Sequence, residues 1–255
     1  MMAKRIFKIG DDESARWVSP GEAAALLAAG SVQDCQSIPW SSNYTFVARI
    51  CAQDQPDVYG VYKPRRGEAP LYDFPDGTLY RRERAAYVVC EALGFGLVPP
   101  TIIRDGPYGV GSVQLLIDVD PEADFFKFKH LHTTELQAIA LFDVLTNNAD
   151  RKAGHCLKAR DGRLWCIDHG LTFNTAPKLR TVIWDFAGEP VPARLLARLR
   201  EFSRNATRTS ALAEQLHALL DRREVSRFFG RIEAVLEHRV YPEMTSRRSV
   251  PWPWY

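Results

Sequence analysis

With 255 residues, 46% of them hydrophobic and 25% charged, the chain can bury a large core and falls in the globular range of one two-lobed domain or two small ones. A formal net charge of +2 gives no strong field to draw the molecule onto polyanions, so nucleic acid is not an expected partner. Five scattered cysteines without a CxxC pair read as reduced thiols of a cytoplasmic protein; no signal peptide precedes the first elements, and no run approaches the ~20 apolar residues of a membrane anchor.

Residues 19–30 predict a short helix with Ser19 as N-cap, Pro20 at its first position and Gly30 closing it. From Ser37 to Lys63 the pattern turns to strands. Tyr44–Cys51 and Val58–Lys63 are rich in β-branched and aromatic residues, and the short turn-like link between them predicts an antiparallel pair. A helix follows over Leu79–Leu93, ended by Gly94. Residues 98–105 and 110–118 alternate as strands around Gly106–Gly109. Thr133 or Thr134 with Gln137 suggests a capping box for a helix whose apolar positions Leu136, Ile139, Ala140 and Val144 lead to Asn147. Beyond Pro192 the chain reads as wholly helical, with stripes such as Leu195, Leu199, Phe202 and Val225, Phe228, Phe229, Ile232, Leu236. Strands thus fill the first half and helices the second. The aromatic, proline-punctuated stretch Val250–Tyr255 fits either packing on its own domain or docking elsewhere.

Basic residues are 25 arginines against 8 lysines, with no lysine after Lys178, as a GC-rich coding genome would give. A lysine here is therefore a slightly better hint of a specific role than usual. The richest stretch is Asn147–Gly170. Within it Asp161-Gly162 predicts a two-residue type I′ hairpin turn, which pairs residues whose numbers sum to 323 and sets His155 opposite Asp168. Asp150 lies five residues before His155, in a loop leaving a helix. Alone, each is more ordinarily a turn or surface residue. Together, an acidic residue, a ligand type five positions on, a short hairpin and then Asp-x-Gly form the pattern by which a kinase assembles its site. One carboxylate serves the acceptor hydroxyl and two ligands hold metal ions on the phosphates.

The same stretch resembles the catalytic and metal-binding motifs of the phosphatidylinositol 3-/4-kinase superfamily. The text before it is most similar to type II phosphatidylinositol 4-kinases and their bacterial relatives. Val61-Tyr-Lys-Pro-Arg-Arg-Gly-Glu68, Arg82–Val89, Leu97–Thr101 and Gly111–Leu116 carry that resemblance, which runs from about Ser41 to Gly170. It implies an α+β, two-lobed protein-kinase-like fold, with a strand-rich N-lobe over 1–118 and a mainly helical C-lobe over 119–255. It also implies ATP and a divalent metal, Mg²⁺ or Mn²⁺, as cofactors. Lys63 would hold the α/β-phosphates, steadied by Glu83. Ser41, Ser42 and Asn43 would form the phosphate-covering turn, and Gln114, Leu115, Leu116 and Ile117 the hinge at the adenine edge, with Val47, Val61 and Ile167 as apolar walls. Asp150 would orient or deprotonate the acceptor, and Asp168 would bind metal.

The chain departs from the family at His155, which stands where the family usually has asparagine as second metal ligand. Imidazole nitrogen suits manganese or zinc better than magnesium. His155 could bind metal, could bond Asp150 or Asp168, or could mark a weakened enzyme. The implied function is an ATP-dependent kinase acting on an unidentified hydroxyl acceptor in a lipid, small molecule or protein. The alternative is a nucleotide-binding pseudokinase or regulatory module; His155 and a phosphate-covering turn without glycines favour it, while Lys63, Glu83, Asp150 and Asp168 together favour transfer.

Overall fold

The first long element forms where a complete set of helix-start signals coincides. In the computed structural model, which describes residues 7–9, 16–39, 43–206 and 210–255, helix α1 spans Pro20–Ala29, after the short paired strands β1 (Phe7–Ile9) and β2 (Arg16–Val18). The Ser19 side chain accepts from the Glu22 amide, and the Glu22 carboxylate accepts from the Ser19 amide, so two otherwise unpartnered N–H groups are satisfied at once. At the other end Arg104 donates to the Leu27 and Gly30 carbonyls at 2.6 and 2.7 Å.

Five antiparallel strands follow: β3 (Ser31–Ser37), β4 (Phe46–Cys51), β5 (Val58–Pro64), β6 (Thr101–Gly106) and β7 (Gly109–Leu115), in the spatial order β3-β4-β5-β7-β6. Side chains alternate across a strand. On β5, Val58, Gly60 and Tyr62 are buried on the face that carries α1, which leaves Val61 and Lys63 on the other face beside Val47, the register partner of Val61. Close approach of β7 matters at Lys63: a Cβ on Gly111 would lie 2.7 Å from the Pro64 Cα. Helix α2 (Leu79–Ala92) starts on a carboxylate, since Glu68 accepts from the Leu79 and Tyr80 amides at 3.1 and 2.8 Å.

The chain divides into two compact units, residues 1–84 with 99–117 and residues 85–98 with 118–255, so α2 contributes to both. The second unit is built round α4 (Thr133–Thr146), which follows the single turn α3 (Phe125–Phe128). Ile139, Leu141, Phe142 and Leu145 are fully buried on several sides of α4, as befits a central helix. Helices α5 (Ala193–Asn205), α6 (Ala211–His217) and α7 (Arg222–His238) present Leu195, Leu199, Phe202, Leu216, Phe228 and Ile232 to the same core.

Three expectations need correction. The capping box at Thr133/Thr134 does not form: His132 is the N-cap, without a side-chain cap bond, and the Gln137 side chain accepts from Arg194 instead. After His238 the chain leaves the helical pattern and continues as extended loop with one short 3-10 turn, Arg247–Ser249. Prolines at 242, 251 and 253 cannot donate to a helix ladder.

The third correction concerns the hairpin of β8 (Cys156–Lys158) and β9 (Leu164–Cys166). Its partners sum to 322, one less than a two-residue turn would give, so Leu157 pairs with Trp165 and His155 faces Ile167 rather than Asp168. Gly162 takes positive φ (85°) but Asp161 does not. The turn is a three-residue loop, Arg160–Gly162, closed by the Ala159 amide on the Arg163 carbonyl, with glycine at its left-handed position. Among the described residues no helix is long and apolar enough to cross a membrane.

Candidate active site

In the strand-rich unit the Lys63 ammonium lies 2.5 Å from the Glu83 carboxylate, with the glutamate side chain only 5% exposed and the lysine 25%. A carboxylate so buried calls for a cation, and the pairing fixes Lys63 on the face shared with Val61 and Val47. The hinge stretch is partly committed to the fold. The Leu115 and Leu116 amides donate to the Pro100 and Tyr59 carbonyls at 2.8 and 2.9 Å, and the Gln114 side chain donates to Thr101 Oγ1. Those two amides are therefore already engaged within the sheet, and the backbone of Ile117 is the next group along. Ser41 and Ser42 lie outside the described residues. Asn43 Oδ1 accepts from the Ala69 amide at 2.8 Å, tying the end of that turn to the loop after β5.

In the helical unit the loop after α4 is built on a buried polar network that the sequence did not announce. Asp143 and Arg151 are both fully buried and form an ion pair at 3.0 Å. Arg151 also donates to the Ile167 carbonyl at 2.7 Å, to the His155 carbonyl at 3.3 Å and to His169 Nε2 at 2.7 Å. Arginine has only donors, so His169 accepts at Nε2 and carries its proton on Nδ1. Asn148 donates to Asp143, and its own side-chain oxygen accepts from the Asp150 amide at 2.9 Å. One guanidinium thus joins α4, the loop and both strands at the open end of the β8–β9 hairpin. The signal for it was an aspartate within the apolar run Leu141–Leu145, since a charge on a buried helix face demands a partner.

Helix α4 ends on Asn147 in the left-handed conformation (φ 52°), and the chain then carries Asp150 out on that support. The Asp150 carboxylate lies 3.2 Å from the Lys152 ammonium, and its carbonyl lies 2.8 Å from His155 Nδ1. The Lys152 amide also approaches His155 Nδ1, at 3.4 Å. A carbonyl can only accept, so the shorter contact makes Nδ1 a donor and turns the Nε2 lone pair outward. That lone pair faces Asp168 Oδ2 at 3.4 Å. Asp168 reaches this position through a left-handed backbone (φ 59°), not through strand pairing. Two lone-pair groups at that distance repel unless a cation lies between them, either a proton on the ring or a metal ion. The donor set, one imidazole and one carboxylate, fits an ion that keeps its other positions for water and phosphate oxygens. Among the described residues no cluster of three or more histidine, cysteine or acidic side chains could hold a metal. The two expected metal ligands, His155 and Asp168, thus face one another, with Asp150 on the adjoining loop.

Burial pushes the Asp150 carboxyl above the usual aspartate range, opposed by Lys152 and reinforced by the Asp168 carboxylate. The folded chain thus holds this proton more tightly than the unfolded one. Ionising Asp150 costs stability as pH rises through the folded value, and the cost is absent below the unfolded value. Used as a base, Asp150 places the acid limb of a pH–rate profile above the ordinary carboxylate range. If the site is that of a kinase, Asp150→Ala is expected to lower turnover by ~10²–10⁴-fold and remove that limb while ATP affinity changes little. Calorimetric ATP binding beside a pH–rate series checks it; affinity falling in step with turnover would make Asp150 a binding residue instead.

No protein-family model matches the chain. It is 36% identical over 264 aligned residues to protein Rv2133c of Mycobacterium tuberculosis, spanning 90% of this chain and 94% of that protein. The chain belongs to the family of Rv2133c. A stretch of 108 residues is also 36% identical to phosphatidylinositol 4-kinase gamma 4 of Oryza sativa subsp. japonica, covering 35% of this chain and 19% of the rice protein. Among solved structures it is similar to hydra Fam20 with sugar, with a TM-score of 0.58 at 13% identity over 93% of this chain and 92% of that one. The Golgi casein kinase with Mn and ADP bound gives 0.55 at 15% identity, over 86% of this chain and 75% of that one. The Helicobacter pylori proinflammatory kinase CtkA gives 0.51 at 9% identity, over 84% and 94%. These likenesses establish an α+β, two-lobed kinase-like fold for the Rv2133c relative described here.

Proposed function

We propose that the chain is an ATP-dependent kinase of the phosphatidylinositol 3-/4-kinase-like type, transferring the γ-phosphoryl group to a hydroxyl of a lipid, small molecule or protein. The observation that carries this reading is the outward Nε2 of His155 facing Asp168 at 3.4 Å, with the Asp150 carboxyl on the same loop. Residues 1–118 are read as the nucleotide-binding lobe and 119–255 as the catalytic lobe. Lys63, steadied by Glu83, holds the phosphates as a compact point charge. His155 and Asp168 hold a divalent ion, which when bound neutralises charge on the phosphates. Asp150 accepts the proton of the acceptor hydroxyl, and Lys152 keeps its carboxylate oriented until then. Five free thiols agree with a cytoplasmic setting.

A second reading, a nucleotide-binding pseudokinase, draws support from the two-donor metal set and from the Lys152 ion pair on Asp150. Metal-dependent ATP turnover by the purified protein separates the two. The kinase reading expects turnover with Mn²⁺ or Mg²⁺ that Lys63→Met lowers roughly 10²-fold, the scale of one lost electrostatic group in a site. Lys63→Arg should restore only part of it, because a planar fork does not replace an ammonium. ATP binding without turnover under either metal would establish the pseudokinase.

A further inference from the structure

The last residues of the sequence are held to the segment that carries His155 directly at one place and through Thr181 at another. The Ser249 carbonyl accepts from the Thr181 amide and from the Trp184 indole, and Thr181 is the bridge partner of Arg151. Farther on, the Trp254 carbonyl accepts from the Ala153 amide at 2.8 Å. Ala153 is 1% exposed and opens the 3-10 turn Ala153–His155. The first amides of a helical turn have no partner inside it, and a buried one must find a partner elsewhere. Here that partner is Trp254.

What holds Trp254 in place is aromatic. Its ring meets Phe126 edge-on at 6.4 Å, and Tyr255 lies 6.2 Å from the same ring, with its hydroxyl donating to Asp124 at 3.2 Å. Asp124 is itself the N-cap of α3. Yet Trp254 and Tyr255 remain 55% and 63% exposed, so much of their apolar surface gains nothing from docking.

We propose that residues 250–255 act as a positioning strap for the metal-binding side of the site, with Trp254 as its key residue. By accepting the Ala153 N–H, the strap fixes the turn that aims His155 Nε2 at Asp168. Its half-exposed anchor on Phe126 makes this hold adjustable. The inference rests on His155 and Asp168 being metal ligands.

The test compares the full chain with a chain ending at Val250 and with Trp254→Ala, each alone and with His155→Ala. Three quantities are read: amide exchange over residues 152–156, Mn²⁺ affinity by calorimetry, and melting temperature. Removing the strap should speed exchange at Ala153 at least ~10-fold, since its amide then opens locally. It should weaken Mn²⁺ binding about 10-fold, as losing a group that orients a ligand does. Melting should shift little, because α4, α5 and α7 keep their packing. In the His155→Ala background, where no ligand remains on the turn, the same truncation should change Mn²⁺ affinity less than ~2-fold, a coupling that a merely structural role would not produce. Unchanged exchange at Ala153, or Mn²⁺ bound equally by full and truncated chains, overturns the strap and leaves the metal reading standing. Mn²⁺ bound by neither chain overturns the proposal through its premise.

Discussion

Asp168→Asn is expected to lower metal-dependent ATP turnover by about 10³-fold, roughly 4 kcal/mol at 1.36 kcal/mol per decade. The substitution removes the charge that faces His155 Nε2 while keeping a side chain of the same size. Position 168 has φ 59°, in the region that asparagine tolerates as readily as aspartate, so the backbone keeps its shape. An alanine would confound the result, because it loses the polar side chain that suits this conformation. Turnover measured with Mn²⁺ and Mg²⁺, beside a thermal melt of the same sample, checks the expectation. A folded variant with full turnover would remove Asp168 from the metal-binding role.

The second large effect concerns folding rather than chemistry. Arg151→Met should destabilise the protein by about 3–5 kcal/mol, the usual result of stranding one member of a buried ion pair. Asp143, fully buried, would lose its guanidinium partner, and the carbonyls of Ile167 and His155 would lose a shared donor. Arg151→Lys should recover little, since one ammonium cannot reach Asp143, two carbonyls and His169 from a single stem. Replacing Asp143 and Arg151 together by apolar residues should cost less than the sum of the two single changes. Denaturant melts of these variants and of the Asp143 single change settle it, and an Arg151→Met protein as stable as the parent would show that the network carries no stability.

The expected α+β order was legible where sequence and burial agree. β4 and β5 are runs of β-branched and aromatic residues in the two most enclosed positions of their half of the sheet, and α5 and α7 bury the apolar stripes read from their spacing. β3 was not legible, because Ser31–Ser37 is an edge strand with most of its side chains in solvent and so carries no alternation. The hairpin was seen but its register was off by one: Asp-Gly is compatible with a two- or three-residue turn, and only the φ of Asp161 decides between them. His155 and Asp168 still meet, by a route strand pairing does not describe, since one sits in a 3-10 turn and the other has a left-handed backbone. Arg151 proves to be the centre of a network whose other members, Asp143, Asn148 and His169, are set by burial and not by any local motif.

The exposed Arg160–Gly162 loop has a practical use as an attachment point. It closes one end of the hairpin, while His155 and Ile167 flank the other. Exposed loop tips accept added residues more readily than any other position in a fold. A tetracysteine tag or a single fluorophore placed there would leave the Arg151 network intact and ride on the two strands that lead to the candidate site. If the chain is the kinase proposed above, such a label could report nucleotide or metal addition as an optical signal, and so allow candidate acceptors to be screened before any phosphoryl product is known.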